Sequence, residues 1–197
     1  IQLTAGAGAG LSLGVSLSGC SDGAPSSDFQ PNLWVKIDTD GAIRVVLAET
    51  EMGQGVATAL PMLIAEELEV SLDAITVEQA PLTPEYGYQS TGGSRSVREA
   101  WQPLREAGAA AREMLREAAS KRWGVSLDQC RAQDGRIISL VTAESLGYGE
   151  LATEAAMLPV PSSVTLKSPD AYKLIGSDRR LAGTKAMLTG QTIYGID

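Results

Sequence analysis

Residues 50–68 read TEMGQGVATALPMLIAEEL, and residues 90–101 read STGGSRSVREAW. In each stretch a glycine-rich loop opens a segment whose apolar residues recur at helical spacing. Glycine has no Cβ, so such a loop lets a ligand approach the backbone, and the helix start behind it offers unpaired N–H groups and a positive dipole end. One glycine turn before a helix is usually only a turn. Two in one chain predict two edges of a site for a large, phosphate-bearing cofactor.

Composition limits the chemistry that the chain itself can supply. It has 197 residues, a formal net charge of −8, two cysteines and no histidine. The negative charge argues against nucleic acid as a partner, because phosphate backbones are bound by basic patches. Cys20 and Cys130 are too few for a four-ligand zinc site or a cysteine-ligated cluster. Any chemistry must therefore come from a cofactor or from another chain.

Short strands and a helix surround the first loop. Leu33–Ile37 and Ile43–Leu47 are predicted as a hairpin, because the Asp40-Gly41 pair between them is a strong turn signal. Val56–Leu68 is predicted as a helix, which we expect to tolerate Pro61 only in its first turn. A strand at Ala74–Val77 and a loop at Pro81–Ser90 lead to the second glycine-rich loop.

The clearest helix follows the second loop. Apolar and small residues at alternating spacings of four and three predict one core-facing stripe, formed by Val97, Trp101, Leu104, Gly108, Ala111, Leu115 and Ala118. Pro103 lies inside this stripe and should kink or break the helix. Trp123-Gly124 should end it.

The remaining segments complete an α+β pattern. We expect a second hairpin around Asp134-Gly135, running from Cys130 to the Ile137–Val141 segment, then a short helix at Tyr148–Met157. Val164–Leu166 and Tyr172–Ile175 are expected to be strands or extended connectors. Helices and strands mix without regular βαβ alternation, which favours α+β. Cys130 is expected to be a buried small apolar residue, since no histidine can activate it.

The amino-terminal residues have the composition of an export signal. Residues 3–19, LTAGAGAGLSLGVSLSG, carry no charge. Leu17–Cys20 resembles a bacterial lipobox, whose cysteine becomes lipidated. We expect residues 1–20 to be a helical signal or membrane anchor on the periplasmic side of the bacterial inner membrane, and the polar residues 21–31 to be a linker. A flexible glycine and alanine leader is the alternative.

The runs at 50–68 and 90–101, with AYKLIG at 171–176, resemble the large subunit of molybdenum hydroxylases of the xanthine dehydrogenase family. The branch concerned is the isoquinoline 1-oxidoreductase and membrane aldehyde dehydrogenase type. The resemblance covers nearly all of residues 29–197. It implies an α+β portion of a molybdopterin-binding domain at 32–171, with mixed sheets and helices, and the start of an α/β hammerhead domain at 172–197. We expect the chain to be a piece of a longer polypeptide.

The resemblance also implies roles for both loops. Gly53, Gln54 and Gly55 would lie against molybdopterin, expected in a dinucleotide form, with the Gln54 amide hydrogen-bonded near the metal. The pterin and its phosphates would be cradled by Gly92, Gly93, Ser94, Arg95 and Ser96. From the residues alone, Gln54 could instead be a turn residue that caps its own helix, and Arg95 could be a solvated surface charge.

In this family a hydroxide on molybdenum attacks an aldehyde carbon or the carbon beside a ring nitrogen, so water supplies the oxygen. The resemblance implies that a distant glutamate accepts the proton, and that electrons leave through iron–sulfur clusters of a small 2Fe–2S subunit, often onward to haem on a c-type cytochrome subunit. The usual context of that glutamate is absent here, since Gly149-Glu150 lies in a helix-like run. Glu49 and Glu51 receive no catalytic role. We therefore expect a subunit that needs the remaining part of the molybdenum subunit and its partners.

Two alternatives stay open. The chain could be a lipid-anchored binding or assembly protein that keeps the fold and has lost the chemistry. The missing base and the short chain favour this alternative. The intact Gly53–Gly55 loop instead favours an oxidoreductase that acts on a small molecule. A nucleotide-binding module is the weaker alternative. Neither loop has the Gly-Lys-Ser/Thr ending of a P-loop or the spacing of a dinucleotide fold.

Overall fold

Residues 29–193 are described by the computed structural model, and their strands lie in two three-stranded sheets. The strands are β1 (Val35–Ile37), β2 (Ile43–Leu47), β3 (Ile75–Gln79), β4 (Cys130–Gln133), β5 (Arg136–Ser139) and β6 (Ser145–Gly147). The α-helices are α1 (Val56–Leu68), α2 (Ser96–Trp123), α3 (Tyr148–Ala156) and α4 (Thr184–Leu188). This mixture confirms the predicted α+β class. The signal or anchor expected at 1–20 lies outside the described residues, as do positions 21–28 and 194–197.

The first sheet has the order β1-β2-β3, with β1 antiparallel and β3 parallel to β2. The predicted hairpin at Asp40-Gly41 is confirmed, and Gly41 has a φ of 91°, which favours glycine. β1 begins two residues later than predicted, because Leu33 is turned to solvent. Phe29, in the segment predicted as a linker, is fully buried and pairs with Ile37.

Helix α1 packs into the core and contains Pro61 at its sixth position. The prediction that the helix tolerates this proline only in its first turn is therefore wrong. A proline inside a helix costs about 3 kcal/mol, since it removes one backbone hydrogen bond. Pro61 is buried, and Leu60, Ile64 and Leu68 beside it are fully buried. Burial of several such side chains, each worth about 1.5–3 kcal/mol, outweighs that cost.

Helix α2 runs unbroken for 28 residues and ends at Gly124, as predicted. The break expected at Pro103 does not occur, because α2 continues on both sides of it along α1, α3 and both sheets. The predicted stripe is buried from Leu104 onward, whereas Val97 in the first turn is 41% exposed. At Gly108 the two long helices touch, since an added Cβ would lie 2.6 Å from the Ile64 carbonyl oxygen.

The second sheet has the order β4-β5-β6 and contains the predicted hairpin around Asp134-Gly135. The strand expected to reach Val141 ends at Ser139, because Leu140 and Val141 turn out to solvent. Strand β6 was not predicted. Its three residues are too few to show a period of two. Cys130 is buried, as predicted, and this burial raises the pKa of its thiol.

A buried carboxylate cluster joins α1 and α2 to the residues that follow α3. The fully buried Glu67 accepts hydrogen bonds from Nε and Nη2 of Arg105 at 2.9 and 2.6 Å, and from Nη1 of Arg112 at 3.3 Å. The Arg105 guanidinium also lies over the rings of Trp101 and Tyr172. Within the described residues neither expected segment is a strand: 164–166 is a connector without regular structure, and 172–175 is a connector of bends and turns.

Glu66 holds the second connector. Its Oε1 accepts from Nζ of Lys167 at 2.7 Å. Its Oε2 accepts three backbone N–H groups at 2.6–3.0 Å, from Lys173, Leu174 and Ile175. Burial opposes ionisation of this carboxyl, but these donors outweigh it and lower its pKa. The predicted start of a hammerhead domain at 172 stays a prediction, although residues 173–175 bind α1.

Candidate functional site

The two glycine-rich loops lie side by side. The backbone N–H of Thr50 donates to Oγ1 of Thr91 at 3.2 Å, which joins the first residue of one quoted stretch to the second residue of the other. Strand β2 delivers the chain into the first loop, and the contact between α1 and α2 fixes the helices that follow both loops. The structure thus brings the two predicted sets of site residues together at one end of the helix pair.

The first loop is open on one side and covered on the other. Gly53 and Gly55 have φ values of 102° and 87°, which only glycine adopts without strain. An added Cβ on Gly53 would meet nothing within 4 Å, whereas one on Gly55 would lie 3.0 Å from Cδ2 of Leu181. The N–H of Ala182 also donates to Oγ1 of Thr58 at 2.7 Å. The segment before α4 therefore covers the inner side of this loop.

Glu51 fills the anion position at the start of α1. Its Oε1 accepts from the N–H groups of Gly53 and Gly55 at 2.7 and 3.0 Å, and its Oε2 accepts from Ala57 at 2.9 Å. Desolvation raises the pKa of this carboxyl, but the backbone donors outweigh desolvation and lower it overall. The backbone N–H groups that the sequence predicted as donors to an anionic cofactor group are thus bound by the Glu51 side chain of the same loop.

The Gln54 amide is also turned into its own loop. Its Oε1 accepts from the N–H of Met52 at 2.7 Å, and its Nε2 donates to the Thr50 carbonyl at 2.9 Å. The side chain is exposed. Gln54 is therefore a turn-stabilising residue in this conformation, and its contact with a cofactor stays a prediction.

The second loop ends at an uncapped helix. Gly93 and Ser94 have φ values of 63° and 53°, so a serine occupies the left-handed region that favours glycine. An added Cβ on Gly92 would meet nothing within 4 Å. No N-cap side-chain hydrogen bond closes the start of α2 at Arg95 and Ser96. This helix start is therefore available to an anion in a way that the start of α1 is not.

Arg95 is positioned by its neighbours rather than fully solvated. Its guanidinium carbon lies 4.7 Å from the centre of the Tyr88 ring, and its Nε is 3.4 Å from the Gly92 carbonyl oxygen. The Glu99 carboxylate lies 3.9 Å from the same nitrogen. Hydrogen bonds from Ser90 and Arg95 lower the pKa of the Tyr88 hydroxyl.

Sequence reasoning missed two carboxyl groups and one hydroxyl of this region. Glu51 and Thr91 organise the loops, and the signal for Glu51 was an acid placed directly before a glycine-rich helix start. Burial, with a smaller contribution from Glu99, raises the pKa of Glu49.

Glu150, which was not assigned as the catalytic base from the sequence, caps α3 by accepting the Gly147 N–H at 2.6 Å. Residues 29–193 contain no group of three acids, cysteines or histidines placed to hold a metal.

None of the helices between residues 29 and 193 is long and apolar enough to cross a membrane.

Comparison with known proteins gives a family match across the chain. The model of the molybdopterin cofactor-binding domain matches residues 2–194. The beta subunit of isoquinoline 1-oxidoreductase from Brevundimonas diminuta is 30% identical over 85% of this chain and 26% of its own length. The membrane-bound aldehyde dehydrogenase (pyrroloquinoline-quinone) of Gluconacetobacter polyoxogenes is 32% identical over 86% of this chain and 22% of its own length. The chain thus spans about a quarter of the length of these relatives.

A solved structure shares the fold. The reconstituted CO dehydrogenase from Oligotropha carboxidovorans superposes with a TM-score of 0.52 at 23% identity, over 64% of this chain and 16% of that one.

Proposed function

This chain belongs to the molybdopterin cofactor-binding domain family, and from that premise we propose that it forms part of the surface that holds molybdopterin in an oxidoreductase. The observation that carries the proposal is the hydrogen bond between Thr50 and Thr91, which sets two glycine-rich loops side by side. Cofactors of this size are bound along several backbone segments, and glycine lets each segment approach closely.

The second loop fits the anionic part of such a cofactor. The open side of Gly92, the uncapped start of α2 and the positioned charge of Arg95 combine N–H donors with a cation. We assign Gly92, Gly93, Ser94, Arg95 and Ser96 to this role. The first loop fits a less charged part, because Glu51 already occupies its N–H groups. Gly53, whose added Cβ would meet nothing within 4 Å, would allow close approach there, with Gly55 packed against Leu181 behind it. The Gln54 amide would exchange its two internal bonds for a bond to the cofactor.

The bound cofactor would supply the molybdenum centre at which a small substrate is oxidised. We propose an aldehyde or an N-heterocycle as substrate, with water as the oxygen source, because the names of the relatives contain aldehyde dehydrogenase and isoquinoline oxidoreductase. This chain would bind and orient the cofactor and would contribute no base. Its Glu150 is committed to a helix cap, and its Glu51 to the first loop.

The rest of the machinery would lie on other polypeptides or on further sequence. We propose the remaining part of the molybdenum subunit, a small 2Fe–2S subunit and a c-type cytochrome as partners, with residues 1–20 at the periplasmic side of the membrane. Two cysteines and no histidine leave this chain without a ligand set for clusters or haem. Its span of about a quarter of its relatives supports the same division.

A binding or assembly protein without catalysis is the second candidate. The observation in its favour is that both loop side chains, Glu51 and Gln54, are satisfied within the loop itself. A loop that is complete without a ligand is what a protein that has lost its cofactor would keep.

The complex purified through a tag on this chain separates the two candidates. We expect about one molybdenum and one molybdopterin per complex, and reduction of an artificial electron acceptor with an aldehyde or an N-heterocycle. Pyrroloquinoline quinone should be measured in parallel, because the name of one relative contains it. A complex free of molybdenum and inactive on both substrate classes would support the assembly protein.

Variants at the two ends of α2 test the assigned site. Arg95→Ala should lower the molybdenum content of the complex. Lys121→Ala, at the far end of the same helix and 60% exposed, is the matched control and should leave it unchanged. Equal molybdenum contents in both variants would refute the placement of the anionic group at the second loop.

A further inference from the structure

We propose that Glu51 is a positioning residue, which holds the first loop in shape so that the Gln54 amide is free to exchange its partners. The proposal rests on the proposed function and assigns a role to a residue that the reading of the sequence left without one. It is carried by the hydrogen bonds of the first loop, in which two side chains do different work.

Glu51 links the loop to the helix. One carboxylate oxygen binds the N–H groups of Gly53 and Gly55, and the other binds Ala57 in the first turn of α1. The three bonds span residues 53–57 and are 2.7–3.0 Å long. Charge-assisted bonds of this length are about twice as strong as neutral ones. They fix the left-handed conformations of both glycines.

Gln54 makes the weaker and more exposed bonds. Its two amide bonds, to Met52 and Thr50, are neutral and lie at the surface. If the amide turns outward, Met52 and Thr50 lose one bond each, and water can replace both. The three bonds of Glu51 remain, so the backbone on either side of Gln54 keeps its course. We call the three Glu51 hydrogen bonds to Gly53, Gly55 and Ala57 the carboxylate clamp. The clamp holds the loop in shape, and the Gln54 amide is the group that can exchange its partners.

The same clamp gives the cofactor site a direction. The Glu51 charge neutralises the positive end of α1, whereas the start of α2 has no such cap. Of the two loops, the second offers a ligand's anionic end the more favourable electrostatics, since Arg95 lies beside its uncapped helix start, although Glu99 in the first turn of α2 lies 3.9 Å from the Arg95 Nε. Glu51 therefore both shapes the first loop and repels the anionic end from it, which would orient the cofactor along the line from Gly92 to Gln54.

Three variants of the full complex test the clamp. Glu51→Ala removes it, and Glu51→Gln keeps one acceptor oxygen but directs an NH₂ group at backbone donors. Glu85→Ala removes an exposed carboxylate from the loop before Gly92 and is the control. The readouts are amide hydrogen exchange of peptides covering residues 52–58, molybdopterin release measured by pterin fluorescence, and thermal unfolding.

We expect Glu51→Ala to speed both exchange at 52–58 and pterin release by about tenfold or more, which corresponds to the loss of about 1.4 kcal/mol. Glu51→Gln should lie between Ala and wild type, and Glu85→Ala should match wild type. Wild-type exchange and release rates in Glu51→Ala would overturn the proposal. So would a general rise in exchange over the whole chain, because that would make Glu51 a residue of overall stability. A wild-type complex without molybdopterin would instead refute the proposed function, while the exchange data would still test the clamp.

Discussion

Replacing Glu67 with alanine should unfold this protein more readily than any substitution of a surface acid. The Glu67 carboxylate is fully buried, and it pairs with Arg105, whose side chain is 7% exposed, and with Arg112, at 11%. Its removal leaves the buried Arg105 guanidinium without its carboxylate and leaves Arg112 paired with Glu113, at 3.1 Å. It also leaves the Lys167 N–H without an acceptor. Breaking a buried ion pair by removing one partner costs about 3–5 kcal/mol.

That magnitude is easily measured. At about 2–4 °C per kcal/mol for a chain of this size, Tm should fall by roughly 6–20 °C. Urea unfolding of the full chain, followed by circular dichroism, gives the free energy of unfolding directly. Glu117→Ala is the matched control, since Glu117 lies on α2, is 42% exposed and pairs with Lys121 at i,i+4. Such surface pairs contribute about 0.3–0.5 kcal/mol. If the two variants lost equal stability, the argument from burial would be refuted.

Four further outcomes are expected. Gln54→Ala should weaken transition-state stabilisation by about 2.7–4 kcal/mol, which lowers the turnover rate, while Tm stays nearly unchanged. Comparable losses of turnover and of Tm would make Gln54 a structural residue. Gly108→Ala should destabilise the chain by about 1–3 kcal/mol in urea titrations, because its Cβ would meet the Ile64 carbonyl at 2.6 Å. Cys130, whose pKa is raised by burial, should resist iodoacetamide at pH 8 in the folded chain and react once urea unfolds it. Because the pKa of Glu66 is lowered by folding, its stabilisation should be complete above about pH 4.5 and be lost as the pH falls further, and Glu66→Gln should flatten that acid limb.

Much of the fold could be predicted because the strongest signals are local. The Asp40-Gly41 turn and the stripe on α2 each depend on neighbours within one or two turns of chain. The predictions made at Pro61 and Pro103 were wrong for the same reason. The cost of Pro61 or Pro103 is set locally, but the burial that offsets it comes from other elements. Strand β6 depends on pairing with β5 and has no periodicity of its own.

In the candidate site, too, local features could be predicted from the sequence and side-chain partners could not. Glycine content and helix starts predicted two backbone segments for it, and the Thr50–Thr91 hydrogen bond shows that these two segments lie side by side, while their contact with a cofactor stays a prediction. The partners of Gln54 and Glu51 could not be predicted, since the Gln54 amide oxygen and both Glu51 carboxylate oxygens compete for the same few backbone N–H donors. In the folded chain the Glu51 carboxylate binds the start of α1, and the Gln54 amide binds the turn before it. Leu181, more than a hundred residues away, gave no signal at all.

The three backbone bonds that Glu66 receives join points 107–109 residues apart along the chain. Closing a loop of that length costs conformational entropy, so we expect these bonds to form late in folding, after α1 and α2 have paired. Contacts that are absent from the folding transition state govern how fast the native state is lost rather than how fast it is reached. We therefore expect the connector at 172–175 to slow unfolding of the native protein. A substitution that loosens it should raise the unfolding rate and leave the refolding rate unchanged.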